Sequence, residues 1–191
     1  MATDRSSQSP LTPFLQKLEN LRGLDSAVDA AGPVMAAVTA NPVVKNALQG
    51  GWLSHALHPL LVQVPLGAWL SALVLDVSAT DDEGRSAQLL TALGLALAAP
   101  SALSGWAELA EAGPREKRVG VVHAAANGAG ILLQAAAWSA RRGGHRGTAR
   151  ALAATSMTLI GAAGFLGGHL AVAREVGTRD PAFGRAPQHL G

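Results

Sequence analysis

Apolar residues dominate four long stretches of the chain, and polar residues gather in the short segments between them. The four stretches cover residues 57–79, 87–110, 119–140 and 151–173. Each has about the 20 residues that a helix needs to cross a hydrocarbon core of about 30 Å. The connecting segments TDDEGR, EAGPREKR and ARRGGHRGTAR are short, so consecutive helices should run antiparallel. The pattern predicts an all-α fold, with a four-helix transmembrane bundle over residues 51–176.

The first fifty residues follow a different pattern. Apolar side chains recur there at steps of three and four within TPFLQKLENLRGL, namely at Phe14, Leu15, Leu18, Leu21 and Leu24. This period predicts an amphipathic helix in an N-terminal segment, residues 1–50, that lies on the membrane surface, caps the bundle or binds a partner. Pro33 and Pro42 are expected to break the helix that follows. Residues 177–191 are rich in Gly, Pro and Arg and are predicted to form a flexible tail.

The composition agrees with a membrane setting. Hydrophobic residues make up 49% of the 191 residues and charged residues only 15%, against roughly 25% charged residues in soluble domains. A water-soluble bundle is the alternative, and four such apolar segments rarely occur together in soluble chains. The chain has no cysteine, which excludes disulfides and thiolate ligands. The net charge is +2 and the arginines are not interleaved with aromatic residues, so no nucleic-acid partner is expected.

Three histidines are predicted to lie at one depth of the bundle. His58 begins the first span, His123 is near the start of the third and His169 is near the end of the fourth. In an antiparallel bundle these positions share one membrane face, each about 6–9 Å inside its helix end. His55 lies one turn shallower, and Glu108 lies on the same side near the end of the second span. The positions therefore predict a polar cluster near one face.

Polar stripes indicate that this cluster faces the bundle interior, because an unpaired polar group is costly in hydrocarbon. The stripes are Ser101, Ser104 and Glu108 on the second span, His123, Asn127, Gly130 and Gln134 on the third, and Thr155, Thr158, Ala162, Phe165 and His169 on the fourth. On the fourth span Gly161, Gly164 and Gly168 also share a face. Small residues let helix backbones approach closely, so this face is expected to form a helix contact.

Imidazole suits iron, copper and zinc, and two imidazoles can hold a haem between helices. We therefore expect haem or a transition-metal ion to be bound by a set of four histidines, namely His55, His58, His123 and His169. A bare Fe, Cu or Zn ion would use Glu108 in addition to the three deeper histidines. Asn127 is expected to hydrogen-bond to a ligating histidine and orient it. The alternative is that the imidazoles are structural and hydrogen-bond to carbonyls and headgroups.

Other ionisable residues are expected at the surface. These are His145 in the third connecting segment, His189 in the tail, and Asp76 at the opposite membrane face. Four helices with neither an internal repeat nor a polar path across the full membrane make a poor channel unless the protein oligomerises. A transporter is therefore disfavoured by the sequence pattern.

Three stretches together resemble a known bacterial family. GWLSHALHPLLVQVPLGAWLSALVLD over residues 51–76, VGVVHAAAN over 119–127 and GFLGGHL over 164–170 are similar to the four-helix membrane family catalogued as domain of unknown function 2231. The resemblance implies a four-helix membrane fold and matches the family's recurrent histidines to those of the predicted cluster. Members often carry a Rieske-type iron–sulfur domain after the membrane part, which implies a redox setting. Without cysteine this chain cannot hold that cluster, so such a partner is expected to be a separate protein.

Two functions fit the pattern. The first is electron transfer by haem or a metal ion near one face of a multi-pass cell-membrane protein, with a Rieske-type or other redox protein as partner. The second is a non-enzymatic membrane anchor or scaffold for a partner protein, with structural histidines. A homo-oligomer and an enzymatic activity are left open. The positive-inside rule predicts that the termini and the histidine site are cytoplasmic.

Overall fold

The chain is almost entirely helical in the computed structural model, which describes residues 9–78 and 84–183. The α-helices in these ranges are α1 Thr12–Asn20, α2 Asp25–Thr39, α3 Pro42–Gln49, α4 His58–Leu61, α5 Gln63–Ser78, α6 Arg85–Ala110, α7 Pro114–Arg142 and α8 Arg146–Gly168. A π-helical turn, His169–Ala173, continues α8. The predicted all-α fold is confirmed.

Four helical segments are long and apolar enough to cross a membrane. They are His58–Ser78, which joins α4 and α5, and then Arg85–Ala110, Pro114–Arg142 and Arg146–Ala173. Helices α5 and α6 pack against each other, as do α6 and α7, and α7 packs along α8. The four spans predicted from hydropathy are therefore confirmed as a helical bundle.

Helices α1, α2 and α3 form an N-terminal cap, residues 12–49, over one end of the bundle. Helix α1 packs on α7, α2 on α6 and α7, and α3 on α6. Leu15 and Leu18 of α1 contact an apolar cluster of α7, α8 and the π-helical turn, so one face of the predicted amphipathic helix is covered by the bundle. Pro33 lies inside α2, so the expected break there is wrong. Pro42 begins α3, and the chain bends by 103° between α2 and α3.

The bundle interior consists largely of small and polar side chains. Fully or nearly fully buried alanines line all four spans, among them Ala72, Ala87, Ala107, Ala137, Ala149 and Ala163. One apolar cluster, centred on Trp69, Ala98 and Ile160, ties α5, α6 and α8 together. Gly94 of α6 makes room for the Trp69 indole, because a Cβ at Gly94 would collide with that ring. Close helix approach therefore depends on small residues.

The inward faces of the second and third spans agree with the predicted stripes. Ser101, Ser104 and Glu108 of α6 are buried, and so are Gly130 and Gln134 of α7. These positions lie on the sides of α6 and α7 that face the other spans. The expectation that polar side chains of these two helices turn inward is confirmed.

The predicted inward face of α8 is wrong. Thr155 and Thr158 are exposed, and each hydroxyl donates to a carbonyl one turn earlier in the same helix, at 2.9 and 3.1 Å. The buried positions of α8 are instead Ala149, Ala153, Ser156, Ile160, Ala163 and Leu166. A threonine hydroxyl that donates to a carbonyl of its own helix is already hydrogen-bonded, so the side chain can face outward without an unpaired polar group. The polar pattern therefore misplaced the rotation of this helix.

The glycine face predicted on α8 makes no contact among the described residues. Gly161, Gly164 and Gly168 are exposed, and a Cβ added to any of them would meet no atom within 4 Å. The expected helix contact at this face is therefore wrong for the single chain. The glycines that accommodate a neighbouring helix are others, including Gly105 and Gly167 beside the histidines.

Candidate histidine site

His58 and His123 lie side by side in the capped half of the bundle. His58 is the first residue of α4, directly before Pro59, and His123 lies on α7. Their ring centroids are 6.2 Å apart and their ring planes are inclined by 79°. The expectation that the histidines of the first and third spans share one depth is met by this pair, which we call the histidine pair.

Each ring of the histidine pair is held by a backbone carbonyl of another helix. The Nδ1–H of His58 donates to the carbonyl of Ser101 on α6 at 2.8 Å, and the Nδ1–H of His123 donates to that of Ala163 on α8 at 2.8 Å. In a neutral imidazole this hydrogen bond fixes the tautomer and leaves the lone pair on Nε2. The two rings are therefore oriented by helices to which they do not belong.

Two glycines make room for the histidine pair. A Cβ at Gly105 of α6 would lie 2.9 Å from Cε1 of His58, and a Cβ at Gly167 of α8 would lie 2.9 Å from Cε1 of His123. These distances are shorter than ordinary carbon–carbon contacts, so the rings sit directly against the glycine backbones. All four spans thus contribute to the site, two with imidazoles and two with carbonyls and glycines.

His169 lies in a different setting, at the junction of the cap and the bundle. Its Nε2–H donates to Oε1 of Glu19 at 2.7 Å, and Nε of Arg174 donates to the same oxygen at 2.6 Å. A second guanidinium nitrogen of Arg174 contacts Oε2. Burial raises the pKa of Glu19, but the hydrogen bonds and charges of Arg174 and His169 outweigh it and hold the pKa below its ordinary value. In this structure Nε2 of His169 is therefore hydrogen-bonded to a buried carboxylate that is also paired with Arg174.

Glu108 accepts hydrogen bonds from a residue at the start of the predicted tail. Its Oε2 accepts hydrogen bonds from the backbone N–H and the hydroxyl of Thr178, at 2.8 and 3.1 Å. Its Oε1 is buried and has no hydrogen-bond partner among the described residues. Thr178 belongs to the predicted tail, of which residues 177–183 are described. The flexibility of the tail stays a prediction.

Asn127 and His55 also stand near the histidine pair in sequence. Nδ2 of Asn127 lies 3.1 Å from Nε2 and 3.4 Å from Nδ1 of His123, and it donates to the backbone carbonyl of His123 at 3.0 Å. His55 is exposed in the turn before α4, where its backbone pairs with that of Arg179. The roles predicted for these two residues remain predictions.

The described residues contain no group of three or more His, Asp or Glu side chains arranged to hold a metal ion. His58 and His123 lie next to each other. His169 is hydrogen-bonded to Glu19, and Glu108 is hydrogen-bonded to Thr178. The ligand set of His58, His123, His169 and Glu108 stays a prediction. His145 is exposed, as expected, and His189 lies outside the described residues.

A buried ion pair that the sequence pattern did not predict lies at the opposite end of the bundle. Asp76 of α5 pairs with Arg141 of α7, and their side chains are only 12% and 3% exposed. Arg141 also donates to the hydroxyl of Thr91 at 3.0 Å, and Arg150 contacts the backbone carbonyl of Asp76. The expectation of a surface acid at Asp76 is therefore wrong. A detectable signal was the seven-residue step from Gln134 to Arg141, which puts both on one helix face.

Comparison with known proteins supports the membrane assignment. The family model described as "Predicted membrane protein (DUF2231)" matches residues 54–180. The chain belongs to the DUF2231 family. The matched region of this DUF2231 protein includes all four spans, the histidine pair, His169 and Glu108. No curated protein and no solved structure matches the chain. The chain is an integral membrane protein, as the resemblance of its histidine-bearing segments indicated.

Proposed function

We propose that the histidine pair binds a haem, or another redox-active metal centre, and that the protein transfers electrons near the capped end of the bundle. The observation that carries this proposal is the placement of two imidazoles from different spans with their centroids 6.2 Å apart. If a metal centre is bound, His58 of the first span and His123 of the third would be the residues that hold it.

The donor set favours haem over a bare ion. A haem would need no more than two ligands from the protein, and His58 and His123 would be the residues that hold it. A bare zinc ion takes three or four protein ligands, and the described residues offer no such group. A bound haem would supply one-electron chemistry. The protein would supply the two imidazoles and an apolar, membrane-embedded setting.

The hydrogen bonds of the two rings support the same reading. Ligating histidines commonly donate their other ring N–H to a carbonyl, which fixes the ring and raises the basicity of the ligating nitrogen. His58 and His123 both donate Nδ1–H to a carbonyl. The Nε2 atoms are then the nitrogens that would bind the metal, and the Asn127 amide, whose Nδ2 lies 3.1 Å from Nε2 of His123 in this structure, would have to turn away from that nitrogen.

An absorption spectrum with metal and haem analysis on protein purified in mild detergent tests the proposal. We expect a haem band in the native chain and its loss in His58→Ala and in His123→Ala. His145→Ala is the matched control, because His145 is exposed in the connection before α8, and it should keep the band. Thermal unfolding of each variant shows whether a lost band reflects a lost ligand or a lost fold.

Two results would overturn the proposal. One is a native protein that stays colourless and free of metal after growth with added haem precursor and iron. The other is a band that survives both substitutions. Either result would favour a membrane anchor whose histidines are structural. The cap would then be the first surface to examine, because Phe14 of α1 is 53% exposed.

We also propose that the capped end, with the histidine pair, faces the cytoplasm. Eight described Lys and Arg residues lie at this end, namely Lys17, Arg22, Lys45, Arg115, Lys117, Arg118, Arg174 and Arg179. Five lie at the other end, namely Arg85, Arg141, Arg142, Arg146 and Arg150. Positive residues near span ends are retained in the cytoplasm.

A further inference from the structure

The chain bends by 103° between α2 and α3, and the outer surface around this bend is apolar. We call residues 30–53 the elbow, which comprises the later part of α2, then α3 and the 3₁₀ turn Gly51–Leu53. We propose that the elbow inserts into the lipid bilayer from the capped end, as a re-entrant element whose outer side contacts acyl chains. This placement goes beyond the proposed redox function and does not depend on a bound cofactor.

Contacts with α6 place the elbow below the end of a span. Nε2 of Gln49 donates to the carbonyl of Ala107 at 2.9 Å, and the hydroxyl of Ser104 donates to the carbonyl of Leu48 at 2.6 Å. Ser104 lies about 9 Å before the end of α6 at Ala110. Helix α6 is about 39 Å long, and the hydrocarbon core is about 30 Å thick. If α6 extends equally beyond both sides of the core, Ser104 and the end of α3 lie about 4–5 Å inside it.

The outer side of the elbow is apolar and exposed. Residues 30–44 contain no charged side chain. Val43 is 78% exposed, Trp52 is 64% exposed, and Val44 is exposed as well. Leu60 of the first span is also exposed, so apolar surface continues along the chain from the elbow to a lipid-facing helix. Large exposed apolar surfaces mark contact sites, and tryptophan is enriched at membrane boundaries. A soluble partner could reach this depth only by entering the bilayer, so acyl chains are the occupant that fits.

The charge and the helix ends of the elbow are paired within the protein. Lys45 is its only charged residue, and Nζ of Lys45 pairs with Glu111 at 2.8 Å. Oδ1 of Asn41 accepts hydrogen bonds from two backbone N–H groups at the start of α3, at 2.9 and 3.3 Å. Gly50 ends α3 in the left-handed region, with φ 76°, and its N–H donates to the carbonyl of Ala47. Insertion into lipid requires such pairing, because water is not present there to replace it.

Non-helical backbone follows the elbow, immediately before α4. Irregular backbone at membrane depth is tolerated where other parts of the protein satisfy it. The N–H of Leu57 donates to the carbonyl of Gln49 at 3.3 Å, and the N–H of Asp180 donates to the carbonyl of Ser54 at 3.1 Å. The elbow and the start of the predicted tail thus supply hydrogen bonds to this segment, as insertion requires.

Spin labels in liposomes test the proposal, because the chain has no native cysteine. Full-length Val43→Cys carries a nitroxide, and its relaxation is measured with oxygen, which partitions into lipid, and with a water-soluble nickel chelate. Leu70→Cys is the lipid control, since Leu70 is exposed near the middle of the first span. Ser26→Cys is the water control, since Ser26 is exposed near the start of α2. We expect the ratio of oxygen to nickel accessibility in Val43→Cys to approach that of Leu70→Cys and to exceed that of Ser26→Cys several-fold.

Two outcomes would overturn the proposal. A ratio equal to that of Ser26→Cys would place the elbow in water. A label shielded from both reagents would show that protein, such as a second copy of this chain, covers the face. If Val43→Cys fails to fold, Val44→Cys gives the same measurement at the next exposed position of α3. Because the label does not report on haem, a colourless protein with a lipid-exposed elbow would leave this proposal standing while the redox proposal failed.

Discussion

Glu19 is the residue on which the junction of cap and bundle depends. It lies between the apolar positions Leu18 and Leu21 of the amphipathic pattern, yet it is 2% exposed and accepts hydrogen bonds from His169 and Arg174. A buried carboxylate is tolerated only when positive groups and donors surround it. A single side chain therefore connects the first helix to the end of the last span.

Replacement of Glu19 by Gln should destabilise the protein by about 2 kcal/mol, since it removes charge-assisted hydrogen bonds from a buried site. Thermal unfolding in detergent would measure the change. Asp29→Asn is the matched control, because Asp29 is exposed on α2 and its replacement should have little effect. Equal stability of the two variants would contradict the role assigned to Glu19.

The same carboxylate predicts a pH dependence. The pKa of Glu19 is lowered from 4.5 in the folded protein, and the pKa of Asp25 is lowered by its hydrogen bond to Arg118. A lowered pKa contributes stability at pH values above the unfolded value, and this stability is lost as the pH falls through the folded value. The protection of the α1 amides against hydrogen exchange, relative to their intrinsic rate at each pH, should therefore fall below about pH 4.5. In Glu19→Gln the change should be smaller, and an identical pH profile would argue against the ion pair.

At the scale of the helix, hydropathy located the four spans but not the rotation of each. Span length depends on local composition, so it can be read from the sequence. Rotation depends on which helix satisfies each polar group, and Thr155 and Thr158 satisfy theirs internally while Ser156, between them, bonds α7. His58 and His123 lie together, as their similar depth in an antiparallel bundle predicted. Depth alone does not predict that His169 turns toward a cap residue 150 positions away.

The glycines of α6 and α8 provide a test of helix packing. Gly94→Ala should lower stability by about 1–3 kcal/mol, because the added methyl group would collide with the Trp69 indole in a close-packed interior. Gly164→Ala should be neutral or stabilising by up to about 1 kcal/mol, since its position is open and alanine favours helices. Thermal unfolding of both variants in detergent would measure the difference. A destabilising Gly164→Ala would instead reveal a contact of this face with another chain.

At the scale of the whole molecule, the two ends of the bundle are unlike. The capped end is tied together by ion pairs between the cap and the spans, including Asp25 with Arg118 and Lys45 with Glu111. The other end is closed by the buried pair of Asp76 and Arg141. An asymmetric molecule of this kind should insert in one orientation, and the surplus of positive residues at the capped end is the basis for the orientation proposed above.

The absence of cysteine makes the orientation directly measurable. Ser26→Cys would mark the cap and Thr148→Cys the opposite end, and both positions are exposed. A membrane-impermeant maleimide added to intact cells should label Thr148→Cys and leave Ser26→Cys unlabelled. The reverse labelling would place the histidine pair on the outer side of the membrane.

The bonds of Glu19 also bear on how the chain is made. The partners of Glu19 lie 150 and 155 residues later in the sequence. At about 5–20 residues per second, a ribosome needs on the order of 10 s to reach them after Glu19 has emerged. During that time the first helix has none of its ionic partners, and it can reach its final position only when the fourth span has entered the membrane. A docked first helix is therefore a mark of completed insertion.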